Sequence, residues 1–164
     1  MWKHTFVTRN LTDTDAADLE GVGTIRFVDG KLYKWVKFDN GAGDVAAVAN
    51  QVCCYVVDSG YFASTVTSDT SVGGIVAGIF TSVIADGEYG WIQIKGAATL
   101  AIAIESSNDG SPAAAADDDP LCIGDADGTL RRQNTVIDAA AERVYDCAHA
   151  ADASEKEVVL DCVW

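Results

Sequence analysis

A chain of 164 residues and 17.2 kDa has the length of one domain, or of one domain with an arm. Its 11 Lys and Arg stand against 25 Asp and Glu, a net charge of −14, which argues against the clustered cationic surface that nucleic-acid binding needs. Hydrophobic residues make up 49%, too many for a disordered acidic chain and enough for a sizeable core. The apolar residues are of the strand-forming kind: 28 Val and Ile against 8 Leu and Met, with turns built mostly on 15 Gly and only 2 Pro. The expectation is a single all-β domain, a barrel or a sandwich of short antiparallel hairpins.

Taken in order, residues 1–20 read as an N-terminal arm or first strand ahead of a β-rich domain over 21–164. Trp2, Phe6 and Val7 form an apolar tip, and the polar run from Thr12 to Asp18 reads as a solvated tether. No apolar run near Met1 suits a secretory signal, and no stretch approaches the ~18 residues of a membrane-spanning helix. The first strong signal is Thr24–Val28, then Asp29-Gly30, then Lys31–Phe38: two strand-like runs around a two-residue hairpin turn. Alternation puts Ile25 with Phe27 on one face of the first run. On the second run Leu32, Val36 and Phe38 share a face with Lys34, and Tyr33 and Trp35 share the other with Lys31 and Lys37. That aromatic and cationic face reads either as half-exposed rings under lysine stems or as a partner contact.

Strands are expected at Val52–Val57, Tyr61–Thr67 and Ile75–Ile84, the last with a bend or bulge near Gly78. Asp86-Gly87 turns into a strand from Glu88 to Gly96, and the alternation of Ala98–Ile104 reads as another. Residues 105–120 form a long solvated loop. Short strands follow at Leu121–Gly124 and Thr129–Gln133 around the turn Asp125–Gly128. Val136–Val144 reads as strand or short helix, and Tyr145–Ala148 and Val158–Val163 read as closing strands.

Chemistry is thin. Asp29, Asp86 and Asp127 are turn residues by context. Asp125-x-Asp127-Gly128 opens like a calcium loop but lacks its later ligands, and Asp117–Asp119 reads as a solvated turn. Cys147 and His149 lie two apart with only Cys162 nearby, a poor zinc spacing. The five Cys, at 53, 54, 122, 147 and 162, read as reduced core residues of a protein made in the cytosol. There is no nucleophile elbow and no phosphate loop. The expectation is no enzyme, no catalytic residue, no metal and no cofactor.

Three stretches carry a resemblance: Lys31–Gly43, Ile75–Gly78 leading into Ala85–Gly96, and Asp119-Pro120-Leu121 with Asp125–Gly128 and Val136–Trp164. They resemble the head decoration, or capsid cement, proteins of tailed bacteriophages. The most specific part is Tyr89-Gly90-Trp91-x-Gln93-x-Lys95-Gly96. The resemblance implies a β-rich protein on the exterior of an assembled virion shell, synthesised in the host cytoplasm. It would sit as a homotrimer or homodimer where copies of the major capsid protein meet, and would touch neither nucleic acid nor membrane. Trp2, Phe6, Tyr33, Trp35, Lys37 and Trp91 are then the candidate contacts to capsid or sister subunit. A rival reading is a phage tail or fibre module with carbohydrate affinity, its sugar stacked on an exposed Trp35 or Trp91.

Overall fold

A computed structural model describes residues 9–56, 64–71, 73–106, 115–133 and 147–162. Among them the regular structure is all strand. The strands are β1 (Ile25–Val28), β2 (Lys31–Phe38), β3 (Val52–Val56), β4 (Thr65–Thr67), β5 (Gly73–Phe80), β6 (Tyr89–Thr99), β7 (Pro120–Ile123), β8 (Leu130–Arg132), β9 (Ala148–Asp152) and β10 (Glu157–Asp161).

The β1–β2 hairpin forms where expected. Asp29 and Gly30 both take positive φ, 50° and 80°, as a two-residue turn between twisted strands demands. From β2 the pairings run through β4, β3, β5 and β6 and return to β2, so five strands close on themselves. Among the described strand pairings only β2–β4 is parallel. The 11-residue β6 is long enough to serve two layers. Its first part lies along β2 and β5, and its last residues, Lys95–Thr99, pair with β10. From there β10, β9, β7 and β8 continue the sheet.

One continuous core fills the ring and the space between it and the second layer. Val36, Phe38, Val66, Phe80 and Ile92 come from the ring; Leu121, Leu130, Ala148, Val158 and Leu160 come from the second layer. Phe38 and Phe80 meet edge to face with centroids 5.5 Å apart. Gly78 is obligatory in this packing, because a Cβ there would collide with the backbone carbonyl oxygen of Gln93 on β6. The β3–β5 register shifts between Cys53 and Cys54, opposite this glycine, which is the irregularity the sequence placed near Gly78. Lys34 follows Val36 and Phe38 inward. Its ammonium donates to the Tyr55 hydroxyl at 2.9 Å and lies 4.8 Å from that ring's centroid, and burial lowers its pKa.

Two expectations change. The alternation at Ala98–Ile104 survives as alternating burial, but the strand ends at Thr99. There the β10 partner runs out, and the Ala101 amide turns to the Asn50 carbonyl. The stretch from Arg9 to Glu20 is not a solvated tether: it lies across the outside of the ring, held by hydrogen bonds described below. The Tyr61–Thr67 strand is seen from Thr65, while Tyr61 and the Val136–Val144 segment lie outside the described residues.

Candidate functional site

The two faces of β2 are divided as alternation requires. Opposite the core-facing Val36 and Phe38, the outer face carries Tyr33, Trp35 and Lys37. Register with β6 sets Trp35 beside Trp91, Tyr33 beside Gln93 and Lys37 beside Tyr89. The two indoles meet at 5.2 Å with an interplanar angle of 63°.

A strap of residues 9–24 crosses this face. Asp15 and Tyr89 exchange both backbone hydrogen bonds, at 3.0 and 2.9 Å. Arg9 pairs with Asp15, and the Arg26 guanidinium donates to the Arg9 carbonyl at 2.7 Å. The Trp35 indole N–H donates to the Asp18 carboxylate at 3.0 Å, and Asp18 also accepts from the Gly21 and Val22 amides. Leu11, Val22 and Val28 complete a second, small apolar cluster around Tyr33, Trp35 and Trp91. Glu20, within the strap, is itself buried, one carboxylate oxygen accepting from the Arg9 amide at 3.1 Å.

This corrects the aromatic contact surface expected from the sequence. Trp35 and Trp91 are 0% exposed and Tyr33 is 8% exposed, so neither indole can stack on a sugar or on a partner protein. The reason is the strap: sequence alternation assigned the face correctly, but not the cover supplied by residues up to 80 positions away. Lys37 is half-buried at the margin. Trp2 and Phe6 lie outside the described residues.

The exposed apolar groups are elsewhere. Phe27 is 69% exposed, Ile25 41% and Leu19 51%. Ile25 and Phe27 share one face of β1, a terminal strand of the sheet that among the described residues pairs with β2 alone. Sequence alternation already put these two on one face; their exposure follows from β1 reaching beyond the ring, where no described strand pairs with its outer edge.

Beside the strapped tryptophans, the same outer face opens into a cleft of about 380 Å³. Leu11 and Thr12 of the strap form one wall, Ala98 and Thr99 of β6 another, and Tyr33, Gln93 and Asn50 lie between. Gly96, with φ of 97°, bends β6 here, and the Gln93 side-chain amide donates to the carbonyls of Gly96 and Ala97 at 3.1 and 2.9 Å.

The carboxylates that caught attention in the sequence serve the chain itself. Asp127 accepts from the Thr70 amide and hydroxyl, and Asp125 pairs with Arg131. Glu105 ties down the Asp125–Thr129 turn. Desolvation raises its pKa, but hydrogen bonds from Thr129, Asp125 and Ala126, with the Arg131 charge, bring it below the usual carboxylate range. The Ser71 hydroxyl and then the Gly43 amide hold Asp69 low in the same way. Cys147 is buried with its thiol 3.3 Å from the Leu121 carbonyl, whereas His149 is exposed, so the two do not converge. Among the described residues no group of three or more His, Cys, Asp and Glu is placed to hold a metal ion. Comparison with protein-family models, with curated proteins and with solved structures gave no significant match.

Proposed function

We propose that this chain is a structural virion protein of the capsid-decoration kind, which binds the outer surface of an assembled phage shell and stabilises it without transforming a substrate. Its partners in this reading are the major capsid protein and further copies of itself, as a homotrimer or homodimer, on the virion exterior after synthesis in the host cytoplasm. The observation that carries the reading is the β1 edge. A terminal strand with Phe27 and Ile25 turned outward is a surface that proteins ordinarily cover or charge.

Charge distribution supports the same surface. Residues 1–38 hold six Lys and Arg against five Asp and Glu, while residues 39–164 hold five against twenty. The strap and hairpin together are therefore near neutral in a strongly acidic chain. That part would meet less repulsion from an acidic partner surface than the rest of the molecule would. Repetition over a shell lattice makes modest contacts of this size effective together. Ten strands joined in one sheet give the rigid block such a role needs.

The test is co-sedimentation of wild type and Phe27→Asp with assembled shells and with free capsid subunits. Wild type should travel with shells, and Phe27→Asp should lose at least tenfold in affinity while keeping its melting temperature. Equal binding by the two proteins rejects the β1 edge as the anchor, and absence of wild-type binding rejects the decoration role.

A further inference from the structure

The cleft beside the strap has a chemistry that neither the core nor the shell contact requires. Its floor is polar and nearly closed to solvent: Tyr33 is 8% exposed and Gln93 7%. Gln93 spends both amide hydrogens on the carbonyls of the β6 bend, so its Oε1 is left as an acceptor that takes no hydrogen bond from the described residues. The Tyr33 hydroxyl, the Asn50 side-chain amide and the Lys31 ammonium likewise have no partner among the described residues, and all three residues line the cleft. Thr12 and Thr99 add hydroxyls in the same state from opposite walls. Tyr33 and Gln93 are the enclosed pair, and Asn50, Thr12 and Thr99 stand exposed at the rim with Lys31 half-buried; unpaired donors and acceptors converging in this way on one concavity are the layout of a polar ligand site.

We propose that this cleft binds a saccharide of one or two rings. The donor and acceptor inventory selects the class. Hydroxyl and carboxamide groups both give and accept hydrogen bonds, which is what each sugar hydroxyl needs from its surroundings. A purely apolar ligand would leave these groups stranded at a cost of about 1–3 kcal/mol each. A phosphate or sulfate would find one cation, Lys31, and would face the acceptor Oε1 of Gln93. The volume of about 380 Å³ lies at the small end of ligand pockets, which suits one ring or two. The apolar sides of Leu11 and Ala98 are available to the C–H face of a sugar. This inference is independent of the shell-binding reading: it uses a different surface, and either stands if the other fails. It also gives the carbohydrate-binding alternative a location that the buried indoles cannot provide.

The test is a titration of the full ¹⁵N-labelled chain with four probes: methyl β-glucoside, N-acetylglucosamine, lactose and N-acetylneuraminic acid, each to about 20 mM. At least one should give saturable shifts in the Asn50 and Gln93 side-chain amide resonances, with half-saturation at about 0.1–10 mM, the affinity of a small open site. Two variants keep the fold intact. Asn50 sits at φ of 64°, so Asn50→Gly removes the amide without straining the backbone, and Tyr33→Phe removes only the hydroxyl. Each should weaken binding at least fivefold. Lys31→Met should matter for N-acetylneuraminic acid and leave the neutral sugars within twofold. The proposal is overturned if no probe gives saturable shifts at the cleft, or if the shifts persist unchanged in both Asn50→Gly and Tyr33→Phe.

Discussion

The outer face of the β2–β6 ribbon has two halves with opposite fates. One half holds Trp35 and Trp91, and a strap of otherwise polar chain folds over it until neither ring meets solvent. The other half holds Tyr33 and Gln93, and there the strap stops short and leaves a cleft. Large rings gain most from cover, because each buries about 150–250 Å² of surface. Hydroxyls and amides gain nothing from apolar cover, so the cover need not extend over them. A single strand pair thus supplies a second core and a candidate binding surface, and the strap decides where one ends and the other begins.

The inner face of the same ribbon is the third term in that comparison, and high pH separates it from the other two most sharply. Cys53, Cys54, Cys147 and Cys162 all lie in the main core, and desolvation raises each thiol above its ordinary 9.0, Cys162 to about 12. A raised thiol stays protonated in the folded protein while the unfolded chain ionises. Its stabilising contribution is therefore full below pH 9 and falls as pH rises from there toward the folded value. Each thiol adds up to about 1.4 kcal/mol of lost stability per pH unit across that window. Tyr55, raised by burial from 10.0, adds to the loss above pH 10. Lys34 works in the opposite direction. Its lowered pKa means that stability recovers between that lowered value and 10.5, so it offsets part of the loss. Urea denaturation at pH 8, 9 and 10 should show stability falling steeply above pH 9. A flat profile would mean that these thiols are not enclosed as described.

On the strapped half the largest single effect belongs to the indoles. Trp91→Ala should cost about 3–5 kcal/mol, the range for removing a buried aromatic ring, and Trp35→Ala a similar amount. Thermal or urea melts measure both. A loss below about 1 kcal/mol would show that the strap leaves these rings in water. Asp18→Ala tests the strap itself. It removes one indole partner and two amide partners from an exposed carboxylate, and should cost about 1 kcal/mol. The same variant should raise hydrogen exchange at the Asp15 and Tyr89 amides before any other part of the ring.

Much of this fold was legible in the residues. Asp29-Gly30 between two β-branched and aromatic runs specified a hairpin, and period-two alternation assigned every side chain of β2 to its correct face. Gly78 marked the irregularity in β5. What alternation could not supply was the third dimension. A strand face is called exposed or buried only once its cover is known, and the cover for Trp35 comes from Asp18 and Val22, which carry no strand pattern. For the same reason the run from Thr12 to Asp18 read as solvated: the carboxylates of Asp13, Asp15 and Asp18 are spent on backbone amides, on Arg9 and on Trp35. The cleft left no signal, since its lining comes from the strap, β2, β5, β6 and the Asn50 turn, none adjacent in sequence.

The smallest expected effect is the most discriminating. Phe27 on β1 and Tyr33 on β2 are aromatic residues one hairpin apart, yet neither holds up the fold through the group that a functional variant removes. Phe27→Ser gives up a ring that is already 69% exposed, and Tyr33→Phe gives up a hydroxyl with no partner among the described residues. Surface changes of this kind stay within about 0.5 kcal/mol, so both proteins should melt with wild type. Side by side, Phe27→Ser should lose shell binding and keep sugar binding, and Tyr33→Phe should do the reverse. If the two variants lose both activities together, the β1 edge and the cleft are one surface rather than two, and the strap divides the outer face only in its packing.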